Sequence, residues 1–393
     1  MFTTLTLNPC LDLNLEVEEF RFDAPMRAIR ERKRPGGKGI NVSVALGILG
    51  LDSAAVAPLG GAAGEEFLEL AGKDLARTAG GHPDRRASGT DEQTNRPARQ
   101  TDSSPGSRAR MGRARLVPVS IAAFTRTNIV ITSRQDARHL KVNQRGGPLS
   151  PAELDAVFRR LRRVARPGHW LILAGSLPPG VPAGTYADLI REFRARGCFT
   201  ALDADGEAFR LGVQAGPDIV KPNREELERF AGKRLRTRSA LLAAAAEILR
   251  TGTRLCLITD GARPAWLVAR AGARQPAAGL LAAWKGIPPR ANGSPTGAGD
   301  AALAGLLAGL AAPKASCSSA PPTPSTSSTR SIQSTSSTPP KPPNASWNRR
   351  CLEKAFRLAL ACGSASASTP DTEYFDAALL KETLKRTRIE RIL

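Results

Sequence analysis

The stretch SPTGAGDAALAGLLAGL, Ser294–Leu310, decides the reading of this chain. Its small-residue turn TGAGD opens an apolar segment with helical spacing. The free amides of Gly297, Ala298 and Gly299 therefore fall at a helix N-terminus, where anions are welcome. Asp300 stands in that first turn. A carboxylate there has two readings: an acid that caps the helix and complements its dipole, or a base that takes a proton beside a phosphate held by the glycines. The rest of the chain has to decide between them.

Around that stretch, short apolar runs alternate with helical patterns. AAVAPLG, HWLILAG, CFTALDA, DIVKPN and RLCLITDG read as buried strands ending in Gly, Asn, Asp or Ala, whereas INVSVALGILG, AELDAVFRRLRRVA, TYADLIREFRARG, SALLAAAAEILRTG and DAALAGLLAGL read as helices. This order predicts an α/β fold with a mostly parallel central sheet and helices on both faces. LDLNLEVEEF and TNIVITSRQDARHLKVNQ alternate more like exposed antiparallel strands. They predict a small sheet, with strands near 11–34 and 116–145, covering a cleft at the carboxyl ends of the central strands.

Two segments break the pattern. Residues 77–115 and 312–350 are poor in branched apolar residues and rich in Ser, Thr, Pro, Gly or Arg, and read as low-complexity inserts in a single domain spanning 1–393. They also weaken the meaning of the net charge of +21. The first carries nine Arg against four acids, and the second five Lys or Arg against none. The remaining excess lies mostly on helix faces, without the aromatic interleaving of a nucleic-acid module. Six cysteines without a CxxC pair, and only three histidines, argue against zinc and against a disulfide framework. The chain start has no basic stretch followed by an apolar core, and no run of eighteen apolar residues occurs, so a cytoplasmic protein is expected.

No GxxxxGK[ST] and no strand-linked GxGxxG occur, so another phosphate device is required. RPGGKGINVSVAL places Gly36, Gly37 and Gly39 before a helix, with Asn41 able to pair with a diol. DIVKPNREEL ends a strand in Lys221 and Asn223 and starts a helix. Asn223 and Glu226 make either a capping box or a pair that orients water on magnesium.

Taken together, LTLNPCLD, PGGKGIN, FTRTNI, GSLPPG, VKPNREEL, TDG and TGAGD resemble the PfkB carbohydrate kinase family, within it the branch of 1-phosphofructokinases and tagatose-6-phosphate kinases. The resemblance implies a ribokinase-like fold with a β-sheet lid, and ATP and Mg2+ as cofactors. It implies Asp300 as catalytic base with Gly297, Ala298 and Gly299 as the anion hole. For the sugar phosphate it implies Asp12, Gly37, Lys38, Gly39, Asn41, Arg126, Lys141 and Ser176. Arg126 resembles the anchor for a phosphate the substrate already carries. For ATP it implies Asn223, Thr259, Gly261 and Ser364, and for magnesium, through water, Glu226 with Asn223. Pro264 departs from the second Gly common after TDG, and the turn before Arg126 reads AAF where the family has a Gly.

The implied reaction is phosphorylation of fructose 1-phosphate to fructose 1,6-bisphosphate. Fructose 6-phosphate, tagatose 6-phosphate or a free sugar are the alternative acceptors. A non-catalytic protein that binds sugar phosphates or nucleic acid is the alternative of another class. The resemblance also implies pairing of two copies through the lid, and the lack of a long apolar run leads to the expectation of no membrane partner.

Overall fold

In a computed structural model of the protein, the described residues are 1–78, 110–111, 114–136, 138–270, 281–284, 296–311, 347–369 and 374–391. The chain begins with β1 (Phe2–Leu5), β2 (Cys10–Val17), β3 (Arg30–Gly36), α1 (Lys38–Ile48), β4 (Ser53–Leu59) and α2 (Gly61–Thr78). It continues through β5 (Arg110–Met111), β6 (Ala114–Ser120), β7 (Arg126–Ser133), β8 (His139–Asn143), α3 (Pro151–Val164), β9 (Trp170–Ala174), α4 (Thr185–Ala195) and β10 (Phe199–Asp203). Then come α5 (Gly206–Gln214), β11 (Ile219–Val220), α6 (Arg224–Ala231), α7 (Arg238–Arg250), β12 (Leu255–Ile258), β13 (Ala265–Ala269) and β14 (Leu281–Trp284). The last elements are α8 (Ala298–Ala311), α9 (Arg349–Ala367), α10 (Ala377–Arg386) and β15 (Glu390–Arg391).

The large sheet has the order β15-β14-β13-β12-β11-β10-β9-β1-β4-β6-β5. Its strands from β12 to β6 pair in parallel, and the outer pairings, β12–β13, β13–β14, β14–β15 and β5–β6, are antiparallel. Both faces are buried, and the two-residue period of a strand sorts side chains between them. In β9, Leu171 and Leu173 join Leu161, Phe193 and Phe209 of α3, α4 and α5, whereas Trp170, Ile172 and Ala174 join Leu306 of α8 and Phe356 of α9. Ser150 starts α3 by a reciprocal cap with Glu153, followed by Pro151, a residue pre-set for a helix start.

Helix α8 is apolar on nearly all sides because it is packed on all sides. Its glycines serve that packing: a Cβ on Gly309 would lie 2.4 Å from Ala355 Cα, so α9 can approach only a bare backbone.

The small sheet has the order β3-β2-β7-β8. Two features differ from the sequence reading. β2 and β7 pair in parallel, from Cys10 opposite Arg126 to Val17 opposite Ser133; only β2–β3 and β7–β8 are antiparallel. Alternation of side chains reports a half-exposed strand but carries no strand direction. In addition, Ala114–Ser120 belongs to the large sheet beside β4, so the second half of the small sheet starts at Arg126.

Most of the two compositional inserts, 79–109 with 112–113 and 312–346, lies outside the described residues. Their ends do not match the expectation. Thr78 closes α2, Ala114 opens β6, and Asn348 caps α9 through the amide of Cys351. Trp347 stacks on Trp170 at 6.2 Å and carries the Arg254 guanidinium 4.0 Å from its ring centroid. Among the described residues no helix is long and apolar enough to cross a membrane.

Candidate active site

A cleft of about 510 Å³ lies between the carboxyl ends of the parallel strands and the small sheet, the place where open α/β sheets bind ligands. Gly37 stands just before α1 with φ 122, a backbone setting that favours glycine. That turn aims Lys38 across the strand ends. Its Nζ lies 2.8 Å from Asp203 Oδ1, at the end of β10, and 3.4 Å from Glu226 Oε1 in α6. Lys221, just after β11, reaches Asp203 Oδ2 at 3.0 Å. One fully buried carboxylate thus sits between two ammonium groups. Burial pushes Asp203 up, but Lys221 and Lys38 outweigh it and hold it below the usual carboxylate range. Burial likewise pulls Lys38 down, and Asp203, Glu226 and Asp300 overcome it to keep the ammonium charged.

Asp300 is buried in the first turn of α8, which Gly297 enters with φ 82. The amides of Ala298, Gly299 and Asp300 point from the helix start without intrahelical partners. Asn41, one turn into α1, donates from Nδ2 to Asp300 Oδ2 at 2.8 Å. Burial first, and then the charge of Asp203, push the Asp300 carboxyl up to about 7, against the pull of Lys38, Asn41 and Lys221. A carboxylate set near neutrality is matched to accepting a proton at neutral pH.

The small sheet forms the other wall. Asp12 of β2 accepts from Asn128 Nδ2 at 3.0 Å, and burial lifts its carboxyl above the ordinary value. Arg126 opens β7 with its guanidinium held by two carbonyls, Nε donating to Asn8 O at 3.2 Å and Nη1 to Gln144 O at 3.1 Å. Lys141 crosses the cleft to the turn before α8, donating to Thr296 Oγ1 at 2.9 Å, and burial lowers its ammonium.

Towards the far end, Thr259 bridges Asn223 in backbone pairing, and Gly261 and Ser364 line the cleft with Gly363 of α9. Asn223 and Glu226 form the reciprocal cap: Asn223 Oδ1 accepts from Glu226 N, and Glu226 Oε2 from Asn223 N, each at 2.8 Å. That leaves Glu226 Oε1, facing Lys38, toward the cleft.

Two expected residues are not part of the lining. A Cβ on Gly39 would meet Thr6 Oγ1 at 2.5 Å, so this glycine lets α1 sit on the end of β1. Ser176 accepts from Asn8 Nδ2 at 3.2 Å and acts on the Asn8 side chain, beside Arg126. Conversely, Asn128, which lines the cleft, and Asp203, buried behind it against Lys38 and Lys221, were missed in the sequence, and Lys221 was noted only as a strand end. The available signal was a charged residue at the end of an otherwise apolar buried strand: FTALD for Asp203 and IVK for Lys221.

Residues 6–78 and 117–377 match the pattern of the pfkB family carbohydrate kinases. The chain belongs to the pfkB family of carbohydrate kinases. It is 32% identical over 312 residues to a 1-phosphofructokinase of Xanthomonas campestris pv. campestris, covering 78% of this chain and 83% of that one. To a 1-phosphofructokinase of Rhodobacter capsulatus it is 33% identical over 306 residues, 77% and 82% of the two chains. The crystal structure of phosphofructokinase-2 from Escherichia coli in complex with substrates and products superposes with a TM-score of 0.71 at 22% identity, over 98% of both chains. At that identity the likeness shows the fold: a ribokinase-like α/β arrangement with a large mostly parallel sheet and a separate small one, as in other pfkB kinases.

Proposed function

We propose that this pfkB kinase transfers the γ-phosphoryl group of ATP to a ketohexose monophosphate, with fructose 1-phosphate as acceptor and fructose 1,6-bisphosphate as product. One observation carries the reading: a buried carboxylate set near neutrality, Asp300, heads an anion-binding helix in the same cleft as Arg126 and Lys141 on the opposite wall. The relatives named 1-phosphofructokinase support the choice of sugar.

In this reading Asp300 takes the proton of the attacking hydroxyl, and the amides at the start of α8 receive the charge of the moving phosphoryl group. Asp12, Asn41 and Lys38 hold the sugar, with the Gly37 turn allowing close approach. Arg126 and Lys141 hold the phosphate already on it, because a guanidinium grips phosphate oxygens with paired charge-assisted bonds. Thr259, Gly261, Asn223 and Ser364 take the nucleotide. Magnesium takes oxygen donors and retains waters. With one Glu226 oxygen facing the cleft beside Asn223, the donor set fits a cation that is otherwise ligated by phosphate and water. When bound, Mg2+ supplies charge neutralisation on the ATP phosphates.

The reading carries with it a cytoplasmic setting and pairing of two copies through the small sheet. In support of pairing, Leu140 and Val142, 48% and 50% exposed, alternate with the cleft-facing Lys141 and Asn143 and so lie on the sheet's other face.

A coupled assay of ADP release across fructose 1-phosphate, fructose 6-phosphate, tagatose 6-phosphate, free fructose and ribose tests the proposal. The expected result is the highest kcat/KM on fructose 1-phosphate. Higher kcat/KM on a 6-phosphate would move the substrate within the phosphosugar kinases. Equal use of free sugars would reduce Arg126 to a surface charge of the lid. Turnover of none, with salt-sensitive DNA retention, would favour a binding protein.

A further inference from the structure

Tyr374 stands outside every motif discussed above. It precedes α10 and packs on the cluster of Ile40, Val44 and Phe67 beside α1 and α2. Arg34 of β3, the cross-strand partner of Asp12, lays its guanidinium 4.1 Å from the Tyr374 ring centroid. The Tyr374 hydroxyl donates to Asn41 Oδ1 at 3.5 Å, while Asn41 Nδ2 donates to Asp300 Oδ2 at 2.8 Å. Arg34, Tyr374, Asn41 and Gly297 line one narrow recess of about 20 Å³ beside the main cleft.

A primary amide has a donor side and an acceptor side, and its orientation is set by what it meets on each. Turned over, Asn41 would present Oδ1 to the Asp300 carboxylate and Nδ2 to the phenol. The hydroxyl, by donating to Oδ1, favours the orientation in which the amide donates to the carboxylate. We propose that Tyr374 is a positioning residue of the phosphoryl transfer: through Asn41 it orients the base Asp300, and through Arg34 it ties that orientation to the small sheet. The proposal rests on the kinase reading above.

Asp300 also faces Lys38 of α1, Asp203 at the end of β10, Lys221 after β11 and the Cys10 thiol of β2. The Asn41 link is therefore read by comparing a change confined to the Tyr374 hydroxyl in the wild-type and Asn41→Ala backgrounds. Tyr374→Phe keeps the ring under Arg34 and removes the hydroxyl. At 3.5 Å this bond is long and belongs at the low end of the range for a neutral hydrogen bond, so kcat is expected to fall about 2- to 3-fold with both KM values unchanged. The acid limb of the kcat–pH profile is expected to move up by about half a unit, because the ionised base loses support.

In an Asn41→Ala background the same substitution is expected to have no further effect. An unchanged kcat and acid limb, a loss confined to KM, or an additive loss in the Asn41→Ala background would overturn the proposal. A readout independent of turnover is the 13Cγ titration of Asp300 in the ligand-free protein, expected to shift upward in Tyr374→Phe; no shift there overturns the link. Failure of the kinase reading shows separately, as a wild-type protein inactive on every sugar phosphate.

Discussion

The two walls of the cleft are built from the same kinds of residue and differ in what surrounds them. On the large-sheet wall, Asp203, Lys221, Glu226 and Asp300 are buried at the carboxyl ends of parallel strands or in the first turns of helices, and Lys38 reaches in from the start of α1. On the small-sheet wall the strands are more exposed, and Arg126 and Lys141 donate to backbone carbonyls and a threonine, with Asp12 as the acid that faces them. The lesson is electrostatic. Charges locked together in a low-dielectric setting tune one another and hold fixed positions, which phosphoryl transfer demands. Charges on an open sheet keep spare donors for an incoming phosphate. We therefore propose that the reaction step lies with the first wall and the grip on the phosphate the sugar already carries with the second.

The largest effect that could break this division is at Asp300. Asp300→Asn keeps an acceptor for Asn41 but cannot take a proton, so kcat is expected to fall by about 10²- to 10⁴-fold with ATP affinity little changed. Steady-state kinetics decide it, and activity within about threefold of wild type would leave Asp300 as a first-turn acid only.

On the opposite wall, Arg126→Ala removes a charged contact worth roughly 1.5–3 kcal/mol. The expected loss in kcat/KM for the sugar phosphate is about 10- to 150-fold, with KM for ATP unchanged and a narrower preference over free fructose. A fall in kcat alone would place Arg126 with the reaction machinery and blur the division.

The smallest effect is on stability and sharpens the contrast. Asp300 titrates at about 7 in the folded chain against an ordinary value of 3.8, so folding favours its protonated form. Stability from that preference is present in full below about pH 4 and is lost as pH rises through 7. Asp300→Asn removes the cost of burying the charge. It is expected to melt above wild type at pH 8, with the gap closing toward pH 4, whereas Arg126→Ala, which removes a charge that holds the Asp12 carboxyl down, is not expected to melt above wild type at pH 8. Differential scanning fluorimetry across that range measures both.

Much of this was legible along the chain. FTALD and WLILA announce strands buried on both faces, and GLLAGL a helix without a polar side, because such runs have one kind of place to go. Asn223 and Glu226 show where legibility stops. Their spacing permitted a cap or a magnesium pair, and the cap is formed with both side-chain oxygens of the reciprocal bonds engaged. One Glu226 oxygen stays toward the cleft, so the two readings share the residue. Gly39 shows a different limit: a glycine needed for ligand approach and one needed for helix–strand packing look identical until the neighbour, Thr6, is known.

By itself the sequence determined the alternating α/β order, the turn that puts glycines and Asp300 at a helix start, and the motifs shared with pfkB kinases. These are local matters, set by periodicity of 2 or 3.6, by capping chemistry and by the few residues that a tight turn admits. The tertiary structure alone decided that β2 and β7 run parallel, that Lys38 and Lys221 meet on Asp203, and that Tyr374 reaches Asn41 from the other end of the chain. Each depends on a pairing between distant segments, which hydrogen-bond geometry and the burial of charge select only once the sheet has brought those segments together.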